Sequence, residues 1–140
     1  MMGKRLLILA IIFMATINSY VNGQNKSFYK KEVKRLTTEE RVYHKELNKY
    51  DSLLNVHFKL FYKHKSIKKK RVDIKNTNVY LKKINTALFH YQDAIFGIDD
   101  YKLYDSKKIE EIKKFYENIY KSTKAKELKL KTDTLNMSNS

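Results

Sequence analysis

Apolar side chains recur at alternating steps of three and four residues along the first half of the chain. The alternation keeps its phase from Tyr29 to Phe61, and only Glu40 and His57 interrupt it with polar side chains. Such steps return to one face of an α-helix, and an unbroken series of them forms a heptad seam. The pattern therefore predicts one long helix over about residues 28–65. Its seam consists of Tyr29, Val33, Leu36, Glu40, Tyr43, Leu47, Tyr50, Leu54, His57 and Phe61.

Thr37 and Glu40 have the spacing of a capping box, which marks a helix N-terminus. If they cap a helix, a short helix precedes the main one and the protein has four helices. Because the seam stays in register across this point, we favour one continuous helix with a bend at most.

A second apolar stripe predicts a helix over about residues 79–96. Asn78 can cap its N-terminus, and Gly97 stands where a left-handed C-cap residue belongs. Residues 66–78, which precede this helix, are rich in Lys, Arg and Asn and are interpreted as a connection. The stripe consists of Leu81, Ile84, Leu88, Tyr91 and Ile95.

A third helix is predicted over about residues 105–125, with Asp105 or Ser106 as its N-cap. Its apolar pattern fades after Tyr120, and the polar residues 132–140 are predicted to be a disordered tail. Its stripe consists of Ile109, Ile112, Tyr116 and Ile119.

The three stripes predict an all-α fold, an elongated three-helix bundle with one long N-terminal helix. Proline is absent, and Gly97 is the only glycine after position 23, whereas turn-rich β folds need more of both. The two shorter helices could pack end to end along the first one. They could instead pack on its C-terminal half and leave Tyr29, Val33 and Leu36 bare, in which case a partner or a second copy of the chain would cover that stripe.

The first 23 residues have the order of a secretory signal peptide. Lys4 and Arg5 precede an uncharged apolar run over residues 6–15, and Val21 and Gly23 suit a cut before Gln24. The run is shorter than the roughly 20 residues that span a bilayer, so a retained anchor is the less favoured alternative. We expect a soluble, secreted or periplasmic chain that forms one helical domain over residues 24–131.

The chain beyond position 23 is strongly basic, because it carries 28 of the 30 Lys and Arg against all 15 Asp and Glu. The densest positive cluster has six basic and no acidic residues between positions 63 and 71. Such a cluster can bind phosphates, anionic lipid head groups or acidic polysaccharide. A solvated helix end is the alternative. The candidate anion-binding residues are Lys59, Lys63, Lys65, Lys68, Lys69, Lys70 and Arg71.

No residue pattern points to catalysis, to a cofactor or to a metal. Cysteine is absent, and there is neither a serine elbow nor a glycine-rich phosphate loop. The helical pairs Glu40 with His44 and His90 with Asp93 are each two ligands short of a metal site. His57 is expected to be a hydrogen-bonded histidine of the seam.

The sequence also argues against nucleic acid as a partner. Phe58, Phe61 and Tyr62 alternate with lysines as stacking side chains would, but they belong to the predicted core stripe. Arginine, which reads bases through paired hydrogen bonds, is scarce in the basic cluster.

The leading hypothesis is a non-catalytic, extracytoplasmic protein that binds an anionic envelope component, a polyanion or an acidic protein. A second hypothesis is a periplasmic chaperone, because Leu36–Glu40 resembles the Leu-Thr-x-x-Gln signature of small helical envelope-stress chaperones, with Glu40 in place of the glutamine. A third is a secreted, membrane-active toxin or effector, because the stripes are amphipathic.

Overall fold

A computed structural model describes residues 19–138, and the side chains of residues 26–138. It contains three α-helices and, over the described range, no strand. The helices are α1 (Ser19–Lys63), α2 (Ile67–Asp100) and α3 (Ser106–Ser138). The predicted all-α, three-helix architecture with a long N-terminal helix is confirmed.

Most of the predicted signal peptide lies outside the described residues. The predicted cut between Gly23 and Gln24 falls inside α1, which begins at Ser19. None of the helices within residues 19–138 is long and apolar enough to cross a membrane.

The predicted seam forms the packing face of α1. Leu36, Leu47 and Leu54 are fully buried, and Phe61 is nearly so. The helix passes through Thr37 without a break, and the Thr37 hydroxyl donates to the carbonyl of Val33 at 2.7 Å rather than capping a new helix. One continuous helix is therefore confirmed, and the capping box is wrong.

The second helix begins twelve residues earlier than predicted, at Ile67, and residues 66–78 are not a connection. Ser66 is the N-cap, since its side chain accepts from the Lys69 N–H, and Asn78 lies within the helix. The buried face continues towards the N-terminus through Asp73 and Thr77, which stand one helical turn apart before the first apolar member of the stripe. Because these inward side chains are polar, the apolar pattern alone could not locate this part of α2.

Gly97 is not a left-handed C-cap. It lies inside α2, no described glycine has positive φ, and the left-handed residue is instead Lys102 in the following loop. A Cβ at position 97 would clash with the side chain of Leu36, which is fully buried. It would contact Leu36 Cδ2 and lie only 2.8 Å from Leu36 Cδ1. The glycine therefore lets α1 and α2 approach closely near the N-terminal part of α1.

The third helix begins as predicted, with the Asp105 carboxylate accepting from the Lys108 N–H at 2.8 Å. It continues to Ser138, beyond the predicted end near residue 125, so the predicted disordered tail is wrong for residues 132–138. Thr123 and Leu130 are buried and extend the inward face of α3 beyond Ile119. Residues 139–140 lie outside the described range.

The helices run up, down and up, with the largest interface between α1 and α2. His44 of α1 stacks on Phe115 of α3, and Tyr62 contacts Asp133. Because both pairs are 71 residues apart, α1 and α3 run parallel in one register.

The proposed bare stripe on α1 is covered in part, since Leu36 is fully buried beneath α2. The ring of Tyr29 lies 5.4 Å from that of Tyr101 but remains 46% exposed. A homodimer through this stripe stays a prediction.

We expect Gly97→Ala to destabilise the protein by about 1 kcal/mol in urea unfolding. Alanine is about 1 kcal/mol more favourable than glycine inside a helix, but overpacking a filled core costs about 1 to 3 kcal/mol. The added methyl group would meet Leu36.

The control for this expectation is a double-mutant cycle with Leu36→Ala, which makes room for the methyl group. Gly97→Ala should then be neutral or stabilising. Equal destabilisation in both backgrounds would show that the two side chains are not coupled.

Candidate anion-binding site

The predicted basic cluster lies at the corner where α1 ends and α2 begins. Lys59 and Lys63 are in the last turns of α1, Lys65 is in the three-residue link, and positions 68–71 form the first turns of α2. The short link brings all seven predicted residues to one end of the bundle. Six of them are exposed: Lys59, Lys63, Lys65, Lys68, Lys69 and Arg71.

Lys70 has a structural contact instead. Its ammonium group donates to the carbonyl of Phe61 and lies 4.4 Å from the centre of the Phe61 ring. It thereby satisfies a carbonyl of the last turn of α1, where the helix dipole also favours a cation. Lys70 ties the two helices together, so its ammonium group already has a contact within the protein.

The sequence pattern does not indicate a polar pair that lies beneath the corner, formed by buried Asp73 and partly buried His64. Asp73 is only 4% exposed and hydrogen-bonds His64, with Nδ1 and Oδ2 2.6 Å apart. Thr77 is also buried and donates to the Asp73 carbonyl at 2.6 Å. His64 lies in the three-residue link and Asp73 lies in the second turn of α2, so the turn between α1 and α2 brings them together.

The C-terminal part of α3 completes this end of the bundle. Tyr62 donates a hydrogen bond to Asp133, and Lys129 lies 3.4 Å from the same carboxylate. The hydrogen bond from Tyr62 lowers the pKa of Asp133, whereas burial and this contact raise the pKa of Tyr62. Asp133 therefore stays ionised while bound to its neighbours.

The register of the three helices divides the bundle into two ends of different charge. We define the basic end as residues 55–80 and 126–138, which hold 11 Lys and Arg but 3 Asp and Glu. The remaining residues from 26 onwards hold 17 Lys and Arg and 12 Asp and Glu. Positive charge is thus least compensated at the basic end.

Each of the three carboxylates of the basic end has a partner within the protein. Asp73 contacts His64, and Asp133 contacts Tyr62 and Lys129. Glu127 accepts from Asn85 at 3.2 Å and from a lysine of its own helix. The exposed cations of the α1–α2 corner are therefore left without compensation from these acids.

The first turn of α2 contains no acidic residue, although the positive end of the helix dipole favours one there. Lys68 and Lys69 occupy positions where they are electrostatically unfavourable for the helix. Their charge adds to that of the exposed N–H groups, so the positive potential at this corner is high.

A second polar cluster lies near the opposite end, around Glu40. This side chain is 6% exposed and accepts hydrogen bonds from Tyr91 and Tyr104, each at 3.2 Å. His44 Nδ1 lies 3.3 Å from the Tyr91 hydroxyl, and the His44 ring stacks on Phe115. The donors bind the carboxylate from within the protein and hold α1, α2 and the α2–α3 loop together.

A shallow cleft of about 320 Å³ borders this Glu40 cluster. Its rim carries cations and a carboxylate, so the charges partly cancel. The lining residues are Glu40, Arg41, His44, Lys45, Lys108, Glu111 and Ile112.

The described part of the chain brings together no group of three side chains suited to a metal ion.

His57 was expected to be hydrogen-bonded, and this is wrong for one of its ring nitrogens. Its Nδ1 is buried and has no hydrogen-bond partner among the described residues. The ring stacks on that of Tyr80, with the ring centres 5.2 Å apart.

We expect Lys69→Glu to stabilise the protein by about 0.5 to 1 kcal/mol in urea unfolding. A glutamate three residues after Ser66 completes a capping box and favours the positive helix end. Lys82→Glu, at an exposed position in the middle of α2, is the matched control and should have little effect. A loss of stability in Lys69→Glu alone would contradict the proposed electrostatics of this turn.

Tyr91→Phe should make stability less sensitive to alkali. Burial and the Glu40 carboxylate raise the pKa of Tyr91 above its usual value of 10.0. As the pH rises past 10, the unfolded chain therefore loses this proton first, and stability that is present below pH 10 is lost above it. The variant lacks this contribution.

The measurement is the urea midpoint at about pH 8 and at about pH 11. At the lower pH the variant should be about 1 kcal/mol less stable, since Glu40 loses one donor. Tyr120→Phe, at the surface, controls for the loss of a phenol. Parallel losses with pH in Tyr91→Phe and in the unmodified protein would refute the expectation.

In comparisons with known proteins, no family model, no curated protein and no solved structure matches the chain. What the basic end does is therefore inferred from its own residues and charges.

Proposed function

We propose that this chain is a non-catalytic, extracytoplasmic binding protein that contacts an anionic partner through its basic end. One observation carries the proposal: the carboxylates of that end are bound within the protein, while the corner between α1 and α2 keeps six exposed cations. A dense, uncompensated positive surface attracts polyanions and anionic surfaces over a distance set by the salt concentration.

The placement of the charge supports the same conclusion. Lysines in the first turn of α2 oppose the helix dipole, and a glutamate there would favour the helix. Residues that break a local rule without a compensating contact are expected at functional sites. Lys68 and Lys69 fit that description, whereas Lys70 has its contact with Phe61.

The other classes have less support from the geometry. A chaperone that cradles unfolded clients along the α1 seam needs that seam to be accessible, but its residues Leu36, Leu47 and Leu54 are fully buried. The carboxylate of Glu40, the best-placed group for acid–base chemistry, is occupied by two tyrosine hydroxyls. Export remains part of the proposal and depends on the apolar run at residues 6–15 behind Lys4 and Arg5.

The test compares two triple variants in titrations with polyphosphate and with heparin. Replacing Lys68, Lys69 and Arg71 by Gln should weaken binding roughly a hundredfold, since each cation contributes about 1 kcal/mol near an anionic surface. The matched control replaces three exposed lysines of the opposite end, Lys34, Lys107 and Lys114. It removes the same charge and should weaken binding much less.

Binding of the unmodified protein should also fall steeply as salt is raised. The proposal would be overturned if the protein bound neither polyphosphate nor heparin. It would also be overturned if the two triple variants weakened binding equally, or if the affinity did not change with salt.

A further inference from the structure

The outward side of α2 carries a regular stripe that the fold leaves uncovered. Starting at Lys68, exposed residues follow one another at steps of four and three, which keeps them on one side of the helix. Lysines and apolar side chains alternate along its first half. We call this stripe the α2 outer face; its members are Lys68, Val72, Lys75, Val79, Lys82, Thr86 and Phe89, and the half-buried Asp93 follows at the next step.

Its apolar members are largely accessible to solvent. Val72 is 56% exposed, Val79 is 45% and Phe89 is 67%. They do not contribute to the core, which α2 reaches with its opposite side through residues such as Leu81 and Leu88. Packing within the protein therefore does not account for these apolar side chains.

Charge on this helix identifies the kind of surface that would cover the α2 outer face. The part of α2 that carries this face, residues 67–89, contains seven Lys and Arg and a single acid, Asp73, whereas the other acids of the helix, Asp93, Asp99 and Asp100, follow the face. Asp73 is buried and hydrogen-bonded to His64, so it does not offset the lysines. An apolar stripe interspersed with lysines matches the boundary of an anionic bilayer, where apolar side chains enter below the head groups and lysines contact them.

We propose that the partner is an anionic lipid bilayer and that α2 lies along its surface through the α2 outer face. This inference rests on the proposed function, because Lys68 and Lys75 belong both to the basic end and to this face. It adds an apolar contribution that a soluble polyanion could not supply.

A tryptophan reporter tests which face touches lipid, because the chain has no tryptophan of its own. Phe89→Trp places the reporter on the α2 outer face. Leu128→Trp is the matched control on α3, since Leu128 is 68% exposed and Phe89 is 67% exposed. Each variant is mixed with phosphatidylcholine vesicles, with the same vesicles containing phosphatidylglycerol, and with polyphosphate.

We expect the tryptophan fluorescence to shift to the blue, and to be protected from an aqueous quencher, only for Phe89→Trp and only with the phosphatidylglycerol vesicles. A shift of Leu128→Trp in place of Phe89→Trp would overturn the assigned face. Binding of both variants to phosphatidylglycerol vesicles with no shift in either would overturn the apolar contribution.

A second pair of variants measures that contribution without a reporter. Val72→Ser with Val79→Ser removes two exposed valines from the α2 outer face. Val42→Ser with Val56→Ser removes two from α1 with nearly the same exposure, 45% and 52%. The first pair should lower partitioning onto phosphatidylglycerol vesicles roughly tenfold and leave polyphosphate binding unchanged, and the second pair should alter neither.

The outcomes separate this inference from the function on which it rests. Equal partitioning of the two valine pairs, with polyphosphate binding intact, would refute the bilayer assignment and leave the basic end as a polyanion site. Failure of the unmodified protein to bind either vesicles or polyphosphate would refute both. Helix content and urea midpoints of every variant would show that each is folded.

Discussion

The contact between the α1 seam and α2 is the interaction on which the rest of the molecule depends. Its leucines at positions 36, 47 and 54 are fully buried, and burial of such side chains contributes about 1.5 to 3 kcal/mol each. Because α1 and α2 are joined by only three residues, this contact fixes the corner at which the basic residues meet. The same contact turns the opposite side of α2 towards solvent.

The charged residues of the basic end fall into two groups, those with a contact inside the protein and those exposed at the corner between α1 and α2. The carboxylates of the basic end are hydrogen-bonded to other side chains of the protein, as in the pairs of Asp73 with His64 and Asp133 with Tyr62. Lys70 is used in the same way, across the corner to Phe61. The remaining lysines of the corner have no such structural contact, which separates the cations that hold the fold from those available to a partner.

The sequence predicts best those parts in which apolar side chains face inward. The seams of α1 and α2 were located correctly because their members repeat with helical spacing. The start of α2 was missed because its inward residues there are Asp73 and Thr77, whose burial depends on contacts across the corner. Gly97 was misassigned because a close helix approach and a left-handed turn call for the same residue. The basic cluster was found because it is contiguous in sequence, whereas the different role of Lys70 depends on three-dimensional contacts.

The unequal interfaces of the three helices also bear on how the chain reaches this structure. The α1–α2 hairpin contains the largest interface. Because its two helices are joined by a link of only three residues, its formation costs little loop entropy. The third helix adds a smaller contact area to that hairpin. Opening of α3 away from an intact α1–α2 hairpin breaks less contact area than separating α1 from α2, so the amides of α3 should exchange with solvent sooner than those of the hairpin.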